Sequence, residues 1–130
     1  MRRVNTVLAA VLDHLDVHPE LDAVTVTVHG YGDLDVVIQC DGGSVAWVAR
    51  VLLAWAATLE GVSAIAWRPP HGESVHLDVT GVLPSGASVR VYTGVRFDPT
   101  RFPDLEPRGR QSLGLTVLRA WAVDEQAVAA

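Results

Sequence analysis

The sequence predicts an α+β fold: a two-layer sandwich with a mainly antiparallel five-stranded sheet and three helices on one face, in the order αββαβββα. Three observations carry that expectation. The chain has 130 residues, 49% hydrophobic and 19% charged, which suits one domain with its own core and is too apolar for a disordered chain. Apolar residues recur at helical spacing in three separate segments. Two further pairs of segments alternate apolar and polar residues around turn-forming sequences, the pattern of antiparallel strands with one buried face. No internal repeat or linker divides residues 1–130.

Val4, Val7, Leu8, Val11, Leu12 and Leu15 form the stripe of a first helix, which Pro19 ends by about residue 17. Residues 22–40 then change to a period of two. Val24, Val26 and Val28 answer Leu34, Val36 and Ile38, and Gly30-Tyr31-Gly32 supplies the reversal. Pairing Val28 with Leu34, Val26 with Val36 and Val24 with Ile38 places all six on one face. Asp41-Gly42-Gly43-Ser44 breaks the strand and offers a helix cap. The helix expected over 44–60 is sorted by size: Trp47, Val48, Val51, Leu52, Trp55 and Leu59 share one arc, and Ala46, Ala49, Arg50, Leu53, Ala56 and Ala57 the other. The large arc belongs on the sheet, and the alanine arc suits close approach of another helix or the surface.

Val62–Trp67 reads as a third strand, ended by Pro69-Pro70. A second hairpin follows, with Val75, Leu77 and Val79 alternating against Val89 and Val91 across Pro84-Ser85-Gly86. Pairing Leu83 with Ala87 sets Thr80 opposite Arg90 and Asp78 opposite Tyr92. Residues 95–111 hold three prolines, four arginines and three acids without apolar periodicity, which predicts a long loop. A last helix is expected from Ser112 to Gln126. Strand order is open at this level. A parallel pair between 34–39 and 62–67, crossed by the middle helix, satisfies the connection rules.

Composition excludes several function classes. The formal charge is −5 and all ten cations are arginine, so a generally basic DNA-coating protein is not expected. The one cysteine, Cys40, allows neither an internal disulfide nor a multi-cysteine metal site. Met1-Arg2-Arg3 is followed by Asp13, His14 and Asp16 at helical spacing rather than by a cleavage site. The apolar stretch Val45–Leu59 contains Arg50 and falls short of the roughly 20 residues of a membrane span. A soluble, cytoplasmic protein without membrane partners or cofactor is expected.

Several residue groups bear on chemistry. His14 and His18 have the spacing of two metal-ligating histidines on a helix, but Pro19 draws His18 out of it and further ligands are lacking, so no metal is expected. Asp33-Leu34-Asp35 before Val36-Val37-Ile38 resembles the acidic pair of nucleotidyltransferases, without the Gly-Ser helix start that those enzymes need. Cys40-Asp41-Gly42-Gly43-Ser44, between a strand and a helix, has the placement to present amides to an anion, without a phosphate-loop lysine or a dinucleotide glycine spacing, and Cys40 there has either an activated or an inert thiol. The outer sheet face gathers the candidate ligand-binding residues His29, His76, Asp78, Arg90 and Tyr92, with Thr25, Thr27, Asp35, Gln39 and Thr80 nearby. His76 and Asp78 are residue types that support acid–base work, while Asp78 and Arg90 also make a diagonal cross-strand pair. Residues 86–119 carry six arginines against three acids, and residues 1–85 four against ten. Arg96, Arg101, Arg108 and Arg110 are therefore the candidate contacts for an anion or nucleic acid.

Residues 81–95, Gly-Val-Leu-Pro-Ser-Gly-Ala-Ser-Val-Arg-Val-Tyr-Thr-Gly-Val, together with the lysine-free composition, resemble small uncharacterised proteins of actinobacterial phages and integrative elements. That resemblance implies an actinobacterial or mobile-element source and brings no activity with it. With no complete catalytic set, the leading expectation is a non-enzymatic interaction domain, homodimeric through the alanine arc or a sheet edge. The second is a small-ligand-binding protein or enzyme using the polar sheet face under the 95–111 loop. Nucleic-acid binding through the arginines of that loop ranks third.

Overall fold

The computed structural model describes residues 3–29 and 32–124. They form α1 (Val4–Val17), β1 (Thr25–Val28), β2 (Val36–Gln39), α2 (Val45–Ala56), β3 (Glu60–Trp67), β4 (Ser74–Val82), β5 (Ser88–Arg96), β6 (Arg110–Leu113) and α3 (Leu115–Ala122). The fold is α+β, with three helices and a mixed, mostly antiparallel sheet in the order β1-β2-β5-β4-β3-β6. The sheet has six strands where five were expected. Arg110-Gln111-Ser112-Leu113 contains one apolar residue, so its alternation is invisible, yet it pairs with β3 from Ala64–Leu113 to Trp67–Arg110. The last helix accordingly starts at Leu115 rather than Ser112, and Glu125 and Gln126 lie outside the described residues.

The second hairpin has the expected register. Thr80 faces Arg90, Asp78 faces Tyr92, and Leu83 N donates to Ala87 O at 2.9 Å. Gly86, at φ 93°, supplies the left-handed turn residue. The first hairpin is displaced by two residues: Val28 pairs with Val36 and Val26 with Ile38. Its connection is longer than a tight turn and closes where His29 N donates to Asp35 O at 2.8 Å. Because strand side chains repeat every two residues, this slip keeps Val26 and Val28 on the same face as Val36 and Ile38, but that face is buried only on β2: Val26 is 36% exposed. Of the expected turn, Gly30 and Tyr31 lie outside the described residues, while Gly32 has φ 83°.

The parallel pair does form, but between β2 and β5, not between 34–39 and 62–67. The hairpin of β4 and β5 inserts between those two strands. These nine-residue strands bury Val75, Leu77, Val79, Val89, Val91 and Val95, and the sheet centre is where such strands lose most water contact.

The helices cover this apolar face. Ser44 caps α2, its hydroxyl accepting from Trp47 N at 3.1 Å. Val48, Val51, Leu52 and Trp55 are buried, but Trp47 is 47% exposed and lies over Gly43, where an added Cβ would stand 2.7 Å from its ring. The alanine arc meets α3: Ala46 and Ala49 are buried, and Arg50 Nε donates to Ala122 O at 2.9 Å, satisfying a carbonyl at the α3 end. On α1, Val7, Val11 and His14 are buried, and the His14 ring stacks on Trp55 with centroids 5.9 Å apart. Among the described residues no helix is long and apolar enough to cross a membrane.

Candidate functional site

The sheet face away from the helices is the side on which the odd-even pattern of β3, β4 and β5 places its polar residues. Four strands present Arg110 on β6, Ile65 and Trp67 on β3, His76, Asp78 and Thr80 on β4, and Arg90 and Tyr92 on β5. At the centre, Arg90 Nε donates to Asp78 Oδ2 at 2.6 Å, the diagonal pair anticipated from register. Asp78 is 4% exposed. Its Oδ1 is buried and has no hydrogen-bond partner, which is uncommon for a buried charged group.

Aromatic contacts stiffen the surroundings. His76 stacks on Tyr92 with centroids 5.7 Å apart, and Trp67 meets His76 edge-on at 5.3 Å. The Arg90 guanidinium lies 5.0 Å from the Tyr92 ring centre. Burial is the main influence holding His76 below the ordinary histidine range; Asp78 opposes the shift, and Arg90 and His71 assist it. Ser63 and Thr80 hydroxyls bond at 2.8 Å on the neighbouring row. A groove of about 390 Å³ opens here, lined by Ile65, Trp67, Asp78, Thr80, Arg90 and Arg110.

His76, Asp78, Arg90 and Tyr92 are thus brought together as the sequence indicated. His29 is not part of that cluster; it sits at the end of β1, two strands beyond β5. Asp35 is structural. Its Oδ2 accepts from Ser88 N at 2.9 Å and Ser88 Oγ at 3.1 Å, tying the first hairpin to β5. Among the described residues no three His, Cys, Asp or Glu side chains converge as a metal site.

The segment expected to lie over the polar face does not lie there. Residues 97–109 turn Phe102 and Leu105 into the core, and Phe102 meets Trp121 of α3 at 5.6 Å. Arg68 anchors this segment: its Nη1 donates to Leu105 O at 2.7 Å, its Nε to Gly72 O at 3.0 Å, and its guanidinium sits 3.5 Å from the Phe97 ring centre. The candidate arginines therefore disperse. Arg108 is in the left-handed region at φ 68°, and its N donates to Arg68 O at 2.6 Å. Arg101 lies 5.4 Å from the Trp121 ring centre. Arg96 and Arg101 line a separate cleft of about 500 Å³ beside Ser44 and Val45 at the start of α2, whereas Arg110 reaches the open-face groove.

Two groove residues escaped the sequence reading. In Ser63-Ala64-Ile65-Ala66-Trp67 the alanines are buried toward the helices and the larger side chains face outward. The usable signal was the strict small-large alternation, which marks two contact faces on one strand. Cys40 is buried, which favours the inert reading over the activated one. Burial first, then Asp22, pushes its thiol up to about 12, and its Sγ donates to Asp22 O at 3.1 Å. Comparison with family models, with curated proteins and with solved structures finds no match to this chain.

Proposed function

We propose that this protein is a non-enzymatic binding domain that works as a homodimer, joined through β1 and the outward side of α1 and receiving its ligand on the open sheet face. The observation that carries the dimer is a set of exposed apolar side chains on α1 and on the segment of β1. Val4, Leu8 and Leu12 on α1 are 47%, 42% and 56% exposed, and Val24 and Val26 on the adjoining strand region are 55% and 36% exposed. The terminal strand β1 reads Thr-Val-Thr-Val, without the charge, proline or bulge that normally protects an edge. Two such strands pair antiparallel about a two-fold axis, which is the self-complementary contact a dimer requires. The alanine arc of α2 is already taken by α3, which favours a sheet edge, and of the two terminal strands β1 is the one without a charged residue.

A binding role suits the open face better than catalysis. Asp78 is engaged by Arg90, and the His76 ring by Trp67 and Tyr92, so the acid and base candidates are held in packing contacts. The dispersal of Arg96, Arg101, Arg108 and Arg110 supports no phosphate-tracking surface. Light scattering during gel filtration is expected to give twice the chain mass, and Val26→Lys to give the single-chain mass with an unchanged circular dichroism spectrum. A wild-type monomer at tens of micromolar would overturn the dimer.

A further inference from the structure

We propose that the cleft at the start of α2 is a second binding site, separate from the open sheet face, for a small organic monoanion: one acid group carried on an apolar body. The fold builds this cleft where two parallel strands end together. β2 and β5 run side by side with Gln39 level with Tyr92, so their carboxyl ends open in one direction. The chain leaving β2 stays on β5, with Cys40 N donating to Tyr92 O and Thr93 Oγ1 to Asp41 O, both at 2.9 Å. It then enters α2 at Ser44. β5 runs on to Arg96 and turns through Phe97-Asp98-Pro99. The cleft of about 500 Å³ lies between these two departures and is lined from both. A crevice beyond the carboxyl ends of adjacent parallel strands is where open α/β sheets take their ligands, and this volume falls in the small-molecule range.

The lining sets the chemistry. Val45, Val95, Phe97 and Pro99 give the cleft apolar walls, while Arg96, Arg101 and Asp98 give it charge. Asp98 also shapes the turn: its Oδ1 accepts from Thr100 N at 2.9 Å, and its carbonyl accepts from Arg101 N and from Phe102 N. Among the described residues neither arginine forms an ion pair, and Arg96 is exposed, open to an incoming group. Two cations against one acid leave a single net positive charge, to which the amino end of α2 adds in the same sign. One acid group is its counterpart, held by a charge-assisted bond. The apolar walls call for a body on that acid, since a bare ion would leave them in water. The contributing segments are far apart in the chain, at 43–45 and 95–101, and the parallel β2–β5 contact unites them.

Octanoate is a suitable probe, with octanol, acetate and octylammonium as controls that remove the charge, remove the body and reverse the charge. In the isotope-labelled full chain, the amide resonances of Val45 and Phe97 are expected to shift saturably with octanoate, while the Trp67 indole N–H on the open face stays still. Octanol and octylammonium are expected to bind at least about ten-fold more weakly, and acetate to give no saturable shift. Arg96→Gln, at an exposed position, is expected to bring octanoate down to the level of octanol and to leave octanol unchanged. Val45→Asp, at a helix start that accepts an acid, is expected to abolish octanoate binding with an unchanged circular dichroism spectrum. Octanol or octylammonium binding as tightly as octanoate would overturn the proposed chemistry, as would equal losses of octanoate and octanol in Arg96→Gln. Shifts confined to the Trp67 indole would place octanoate on the open face and overturn this site. An absence of saturable shifts with every probe would also overturn it, leaving the reading of the open face as it stands.

Discussion

His14 shows how one buried side chain links packing to pH. Thr58 Oγ1 donates its proton to Trp55 O at 2.8 Å, so it accepts from His14 Nε2–H at 2.9 Å, which fixes the neutral tautomer. Burial, then the neighbouring His18, lowers the His14 affinity for a second proton, against Glu20 and Asp13. His76 is lowered in the same direction, chiefly by burial. The unfolded chain, with histidines near 6.5, therefore binds protons before the folded one does. Stability is full above that value and falls as pH drops through it toward the lowered folded values. Urea midpoints are expected to decline across that window, and the pair His14→Gln and His76→Gln to flatten the slope. A midpoint independent of pH would contradict the assignment. Cys40 gives a second check at this scale: the folded protein is expected to resist a disulfide reagent at mildly alkaline pH and to react fully once denatured.

The Asp78–Arg90 pair is asymmetric. Arg90→Ala strands a carboxylate that is almost wholly buried, and is expected to cost about 2 kcal/mol, below the usual buried-pair value because the arginine side is 34% exposed. Asp78→Ala is expected to cost less, since Arg90 can turn its charge to water. Equal losses in a double-mutant cycle would show that the burial difference has no energetic consequence.

At the level of elements, legibility followed periodicity. The β4–β5 hairpin was readable to the residue because nine-residue strands alternate over their whole length and Pro-Ser-Gly sets the turn. The β1–β2 register slipped because a four-residue strand supplies few pairings and a longer connection keeps the same side chains on one face. Residues 97–109 lacked periodicity, so their packing was illegible, although they hold two core anchors. Phe102 is fully buried, and Phe102→Ala is expected to destabilise the protein by about 3 kcal/mol. The same truncation in a solvated loop would change the denaturation midpoint little. The candidate site divided in the same way: His76, Asp78, Arg90 and Tyr92 came from alternation along one hairpin, while Ile65, Trp67 and Arg110 joined them only through the β3–β4 and β3–β6 pairings.

Across the whole molecule, the core is organised around Trp55, whose Nε1 donates to Asp22 O at 2.9 Å while the His14 ring stacks on it. One carbonyl thus receives both this indole and the Cys40 thiol, tying α2 to the segment before β1. Trp55→Phe is expected to lower stability by about 2 kcal/mol through lost volume and one unmet acceptor, measured by chemical denaturation; an unchanged midpoint would remove that role. The sequence by itself determined the types of the three helices and of the first five strands, the two faces of β4 and β5 and the pairing between them, because these depend on side-chain period and local turn chemistry. Strand order, the parallel β2–β5 contact, the sixth strand and the groove beneath Arg110 were decided only by tertiary structure. Each depends on which edge meets which, and that choice is made by burying the most apolar surface over the whole chain rather than by any neighbouring residues.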